Sequence, residues 1–237
     1  MALPDARGHF AALGDKEAEE VYRKIYESIL GHQLPPGTKL PEEKLATIFK
    51  VTRAKVRKVL TRLEHERIIE SFPNRGAYVA RPTPEESADI LEARRIIEPA
   101  IAEKLAHRTR TADVARLREH IEAEYDASRR QDHQTMVRLA GEFHNVMAAL
   151  VENGALARMV RDFAALTCLT IILYDAPTAG VCLPDEHVQL TDAIENGDAA
   201  AAAQIMVRHL QALEDSLLFE KPGDEIDLEA LFSRAHQ

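Results

Sequence analysis

The sequence predicts a mainly α-helical protein in two parts. An N-terminal winged helix-turn-helix, three helices plus a β-hairpin wing, spans residues 17–81, and an all-helical bundle of six or seven helices spans residues 84–221. Three observations carry this: apolar residues recur at helical spacing along most of the chain, strand-like runs are confined to residues 68–80, and charge divides along the chain. The net charge is −9, yet residues 1–82 hold 15 Lys and Arg against 11 Asp and Glu, whereas residues 83–237 hold 15 against 28. A basic N-terminal unit on an acidic C-terminal one is what a duplex-binding module attached to a second domain looks like.

With 237 residues, of which 46% are hydrophobic, the chain is long enough for two cores and too apolar for wholesale disorder. No apolar stretch approaches the roughly 20 residues needed to span a bilayer, and the N-terminus lacks an export signal, so the expectation is a cytoplasmic protein with no membrane partner. Cys168 and Cys182 are too few for a disulfide framework or a cysteine-rich zinc module.

Residues 1–16 mix glycine, proline and small residues without a period and read as a flexible arm. From Glu17 to Gly31, Tyr22, Ile25, Tyr26 and Ile29 form one helical stripe. Leu34-Pro35-Pro36-Gly37 cannot continue it, because proline lacks the amide donor and clashes with the preceding turn. Pro41, Glu42 and Glu43 suit the first turn of a second helix to Phe49, expected to bury Leu45 and Ile48. Thr52 can cap a third helix, in which Val56, Val59, Leu60 and Leu63 form the buried stripe and Arg53, Lys55, Arg57, Lys58 and Arg62 project elsewhere. Strands at 68–72 and 77–80 flank the turn Pro73-Asn74-Arg75-Gly76. Residues 50–81 carry nine basic residues against three acidic ones. A B-form major groove admits one α-helix, so the basic third helix can meet base edges and phosphates while the wing follows the backbone or minor groove.

The N-terminal part resembles the GntR family of bacterial regulators through Leu34-Pro35-Pro36-Gly37, Leu45-Ala46, Val51-Thr52-Arg53, Val56-Arg57, Arg62-Leu63-Glu64 and Arg75-Gly76-Ala77-Tyr78-Val79. The resemblance implies DNA contacts by Thr52, Arg53 and Arg57 and a minor-groove contact by Arg75 and Gly76; Lys55 and Lys58 join them on charge. The chain departs from that family in carrying Glu43 where Arg is usual and Lys58 where Glu is usual.

Helical periods then run over 84–107, 112–130, 132–151, 155–174, 184–196 and 198–219, with the longest irregular connection around Pro177 and Gly180. Residues 222–237 read as a tail or one more short helix. Three histidines lie on apolar faces: His144 with Ala140, Met147 and Val151, His187 with Leu190 and Ile194, and His209 with Ile205, Met206 and Leu213. Three imidazoles from three helices can converge in one cavity, which is what a transition-metal site needs. Glu142-Phe143-His144, Glu186-His187 and Met206-Val207-Arg208-His209-Leu210 resemble the ligand helices of the FCD effector domain, in the FadR-type branch of the GntR regulators. That resemblance implies a divalent transition metal, zinc or nickel, on His144, His187 and His209. It also implies an aspartate at position 140, which here is Ala140. Three readings stay open: a metal completed by water or effector, a metal-free cavity in which the histidines bind an organic acid, or a degenerate site.

Arg94 interrupts the apolar series Ile90, Ile97, Ile101 and Leu105 and needs a partner, either Glu98 one turn on or an effector carboxylate. The expected function is a homodimeric regulator, a repressor by family habit, that binds double-stranded operator DNA and responds to a small carboxylic acid. The alternatives are a ligand-independent DNA-binding protein and a metal-dependent hydrolase.

Overall fold

In the computed structural model, the described residues are 15–31, 33–174 and 184–219; most of the 1–16 arm, the connection through Pro177 and Gly180, Cys182 and the 222–237 tail lie outside them. The first part runs α1 (Lys16–Leu30), β1 (Lys39–Leu40), α2 (Glu42–Phe49), α3 (Arg53–His65), β2 (Ile69–Phe72) and β3 (Gly76–Val79). The second runs α4 (Pro84–Ala106), α5 (Thr111–Arg129), α6 (His133–Leu150), α7 (Gly154–Tyr174), α8 (Pro184–Glu195) and α9 (Ala199–Ser216). This is a winged helix-turn-helix followed by a bundle with six helices among the described residues.

The helix ends are set by local chemistry. Asp15 caps α1 by accepting from the Glu17 amide, and Thr52 caps α3 by accepting from the Lys55 amide at 3.3 Å. Thr83 and Glu86 form a reciprocal capping box at the start of α4, directly before Pro84. The helix then continues through Pro99 despite the lost amide donor.

Two details differ from the sequence expectation. Helix α2 buries Ala46 and half-buries Leu45 and Phe49, while Ile48 is 58% exposed. Residues 42, 45, 46 and 49 share one face of this two-turn helix, and position 48 points well away from it. A third strand, β1, pairs antiparallel with β3, placing Lys39 opposite Tyr78, so the sheet order is β1-β3-β2. Two residues are too short to show a period.

The apolar interior forms two clusters. One begins in the winged helix with Val21, Ile25, Val59 and Leu63 and continues into the bundle through Leu91, Val137, Leu169 and Leu213. The other holds Ile101, Phe143, Met147, Leu190, Ile194, Met206 and Leu210. Between Leu91 and Ile101 on α4 the buried residues include Arg94 and Glu98, while His144 and His209 lie beside Phe143, Met147, Met206 and Leu210 of the second cluster. Arg94 and Glu98 therefore stand between the two clusters along α4, and the DNA-binding part shares its core with the upper end of the bundle. Among the described residues no helix is long and apolar enough to cross a membrane.

Replacing Thr83 by Ala removes the side-chain acceptor at the start of α4 and should cost about 1 kcal/mol of stability, read as a lowered midpoint in urea unfolding.

Candidate functional site

Thr52 sits at the N-cap of α3, and Arg53 and Arg57 project from its exposed face, with side chains 61% and 65% exposed. Neither arginine is left to solvent alone. Arg57 meets Glu42 with two parallel bonds, Nε to Oε1 at 2.9 Å and Nη2 to Oε2 at 2.8 Å, and Arg53 lies 3.8 Å from the same carboxylate. A bidentate pair fixes the guanidinium plane. Glu42 thus positions both exposed arginines of the recognition helix, a role its first-turn placement on α2 did not reveal. Lys58 is exposed on the same helix.

Lys55, grouped with the DNA contacts on charge, turns back instead onto Asp15 at 2.8 Å and Glu17 at 2.5 Å, the acidic N-terminus of α1. Arg62, counted in the basic patch, is a structural residue. Its guanidinium stacks 3.6 Å over the Tyr22 ring and pairs with Glu66 and Glu19, while the Tyr22 hydroxyl donates to buried Glu66 at 2.7 Å. In the wing, Arg75 is exposed, and Gly76 takes a φ of +90°, where a side chain would be strained.

The three histidines expected to converge do so. His144 on α6, His187 on α8 and His209 on α9 are buried, and one ring nitrogen from each lies within 4.8 Å of the others. Each also faces a carboxylate through its other nitrogen: His144 Nδ1 to Glu98 at 2.5 Å, His187 Nδ1 to Glu124 at 2.8 Å and His209 Nδ1 to Glu186 at 2.6 Å. The His187 ring is clamped further by Phe143, stacked at 3.9 Å between centroids and 10° between planes.

The electrostatics follow from burial and pairing. Burial pushes the His144 imidazole down to about 3 despite the Glu98 carboxylate. Burial, reinforced by the His209 charge, likewise holds His187 well below its ordinary value. Both rings are therefore neutral. Burial alone would raise Glu98, but the Arg94 guanidinium and then His144 outweigh it and hold its carboxyl well below the usual range. The hydrogen bond from His209 lowers Glu186, while burial raises Glu124 to about 7. Each Nδ1 is turned to a carboxylate, which leaves the Nε2 of each ring directed at the other two rings. His144 Nε2 and His209 Nε2 stand 3.2 Å apart, and buried His187 Nε2 has no hydrogen-bond partner. Three imidazoles gathered in a buried site, each backed by a carboxylate on Nδ1, are a donor set that fits a metal.

Arg94 takes the first of its two expected partners, Glu98. Its Nε pairs with Glu98 Oε1 at 2.5 Å, fully buried, while Nη2 has no partner. Ala140 is buried on α6, and Glu142 pairs with Arg138, away from the histidines. Sequence reasoning passed over Glu124. The signal was present, because Glu124 continues the buried series Leu117, His120 and Ile121 on α5, and an acid on such a face needs a partner.

A basic recognition helix with a wing, joined to a helical domain built around a buried polar cluster, defines a DNA-binding transcription regulator. The sequence matches the family "Bacterial regulatory proteins, gntR family" over residues 17–79 and the FCD domain over residues 89–212. The chain belongs to the GntR family of bacterial regulators, in the branch that carries an FCD domain. Among curated proteins it is 26% identical to a Streptomyces ambofaciens HTH-type transcriptional regulator, covering 86% of each chain. It is 22% identical to the Escherichia coli HTH-type transcriptional repressor RspR, covering 84% of this chain and 88% of that one. A solved GntR regulator from a Rhodococcus species has the same fold, with TM-score 0.74 and 22% identity over 85% of this chain and 97% of that one. The relatives are transcription regulators, not enzymes.

Glu98→Ala strands the Arg94 charge and the His144 donor in the interior, and should cost about 3–5 kcal/mol in urea unfolding. Adding Arg94→Met should recover part of that loss; an additive further loss would show that the stranded charge is not the cause.

Proposed function

We propose that this protein is a homodimeric, effector-responsive repressor. Its residues 17–81 bind operator DNA, and its residues 84–221 dimerise and hold a divalent transition metal, zinc or nickel, beside a small carboxylic acid. The observation that carries this reading is the convergence of three buried histidine rings whose Nδ1 partners are all carboxylates. When bound, the metal would supply a fixed positive charge among the three rings. His144, His187 and His209 hold it through Nε2, while Glu98, Glu124 and Glu186 orient the rings. Position 140 is Ala rather than the acid the family resemblance implies, so the protein offers three nitrogens and leaves the remaining positions to water or to the effector. Arg94 Nη2, buried and unpartnered, is the donor for an effector carboxylate.

Thr52, Arg53, Arg57, Lys58, Arg75 and Gly76 contact the duplex; Lys55 can join only by releasing Asp15 and Glu17. The description of RspR as a repressor supports the same sign of regulation here. A two-fold dimer requires a self-complementary operator, and the acid acts by binding one arrangement of the paired winged helices more tightly than the other.

Metal analysis of protein purified from metal-replete cells should find one metal per chain in the wild type and none in His144→Ala. An empty wild type overturns the metal. Glu124→Gln should bind metal roughly 10- to 100-fold more weakly in a chelator competition. A panel of short carboxylic acids should shift operator affinity for the wild type and not for Arg94→Met; no shift with any acid removes the effector.

A further inference from the structure

The solvent face of the wing carries a second group of cations that differs from the recognition helix in how it is partnered. Strand register puts Lys39 of β1 opposite Tyr78 of β3, and Phe72 of β2 opposite Gly76. Side chains alternate across the sheet, so Ile69, Ala77 and Val79 turn to the core while Lys39, Phe72 and Tyr78 share the outer face. The Phe72 and Tyr78 rings meet edge to face at 5.7 Å. Arg75 lies over both, 5.5 Å from the Phe72 centroid and 6.0 Å from that of Tyr78, and Lys39 lies 5.7 Å from the Tyr78 centroid. The Tyr78 hydroxyl donates to the Arg75 carbonyl at 3.3 Å, tying the ring to the turn. Phe72 keeps 40% exposure, which is unusual for a large apolar ring on a small surface sheet.

On α3, by contrast, Arg53 and Arg57 share Glu42, and Lys55 is held by Asp15 and Glu17. Before those three can meet DNA they must loosen from carboxylates. Among the described residues, no carboxylate pairs with Lys39 or Arg75, and Glu70, which also lies on the outer face, pairs with neither. An aromatic face holds a cation in place without neutralising it, so the attraction to a phosphate is retained.

We infer that Lys39 and Arg75, held in place by the Tyr78–Phe72 pair, form a phosphate clamp on the outer face of the wing that grips the duplex without reading its sequence. The clamp takes the backbone phosphates beside the groove the wing enters, and Lys39 is a DNA-contact residue contributed by β1 rather than by the recognition helix or the wing turn. It rests on residues 17–79 being the DNA-binding domain. The division of labour follows from partnering: the clamp engages any duplex first, and the α3 arginines exchange Glu42 for base edges only where the sequence repays the exchange.

The test uses the full chain and a random-sequence duplex, with affinity measured by fluorescence anisotropy across a series of salt concentrations. Lys39→Ala should flatten the slope of log affinity against log salt by about 0.9 and weaken binding roughly fivefold at physiological salt, the loss of one phosphate contact. Lys39→Arg should restore both. Phe72→Ala should weaken binding roughly threefold with the slope unchanged, because the ring holds Arg75 without carrying charge. Lys104→Ala, on the bundle, should change nothing. A wild-type slope for Lys39→Ala, with its unfolding midpoint preserved, overturns the clamp and leaves the DNA-binding reading intact; a wild type with no salt-dependent duplex binding overturns that reading itself.

Discussion

The constraint on which the bundle depends is the cost of burying charge. Arg94, Glu98, Glu124, His144, His187 and His209 are all buried and together make one polar layer in the bundle. Removing such groups from water is offset only when each finds a partner of matching charge and geometry. The layer meets that condition by pairing: Arg94 with Glu98, Glu98 with His144, Glu124 with His187, and Glu186 with His209. The pairing leaves few alternatives for each ring. It turns Nδ1 outward to the carboxylates and Nε2 inward, so the same interactions that make the burial tolerable also bring the three rings together. An apolar layer of equal volume would be at least as stable, which points to function as the reason for retaining it.

The same principle organises the DNA-binding part on a smaller scale. Glu42 holds Arg57 and approaches Arg53, Asp15 and Glu17 hold Lys55, and Glu66 with Tyr22 and Glu19 holds Arg62. A helix with this many cations would repel itself without such partners. The two parts are not joined by a bare tether. The core that starts with Ile25 and Leu63 runs on to Leu91, Val137 and Leu213, and the Tyr174 hydroxyl donates to the Pro82 carbonyl at the junction. Arg94 lies one helical turn beyond Leu91 on α4, so an event in the polar layer is one turn from the core shared with the recognition helix.

Much of this was legible in the sequence because periodicity and capping are local. Thr52 before Arg53 marks the start of the recognition helix, the stripe Val56, Val59, Leu60 and Leu63 fixes its buried face, and a histidine on each of three apolar faces predicts their meeting. What the sequence did not reveal depends on non-local contact. The Glu42–Arg57 pair joins residues 15 positions apart and Glu124–His187 joins residues 63 apart, and no spacing rule connects such positions. Strand β1 is visible only through its partner β3. Ile48 belonged by composition to a buried stripe, yet the short α2 turns it outward, since only the face through Leu45, Ala46 and Phe49 meets the rest of the domain.

The central claim is that all three rings carry their proton on Nδ1 and present Nε2 to a common cation. Nitrogen NMR of histidine-labelled protein loaded with zinc reads this directly, since the two ring nitrogens and their protonation states have distinct shifts. The account predicts three buried rings protonated at Nδ1, with Nε2 shifted on zinc addition. A proton on Nε2 of His144, His187 or His209 in the zinc-loaded protein, or three rings indifferent to zinc, would contradict it.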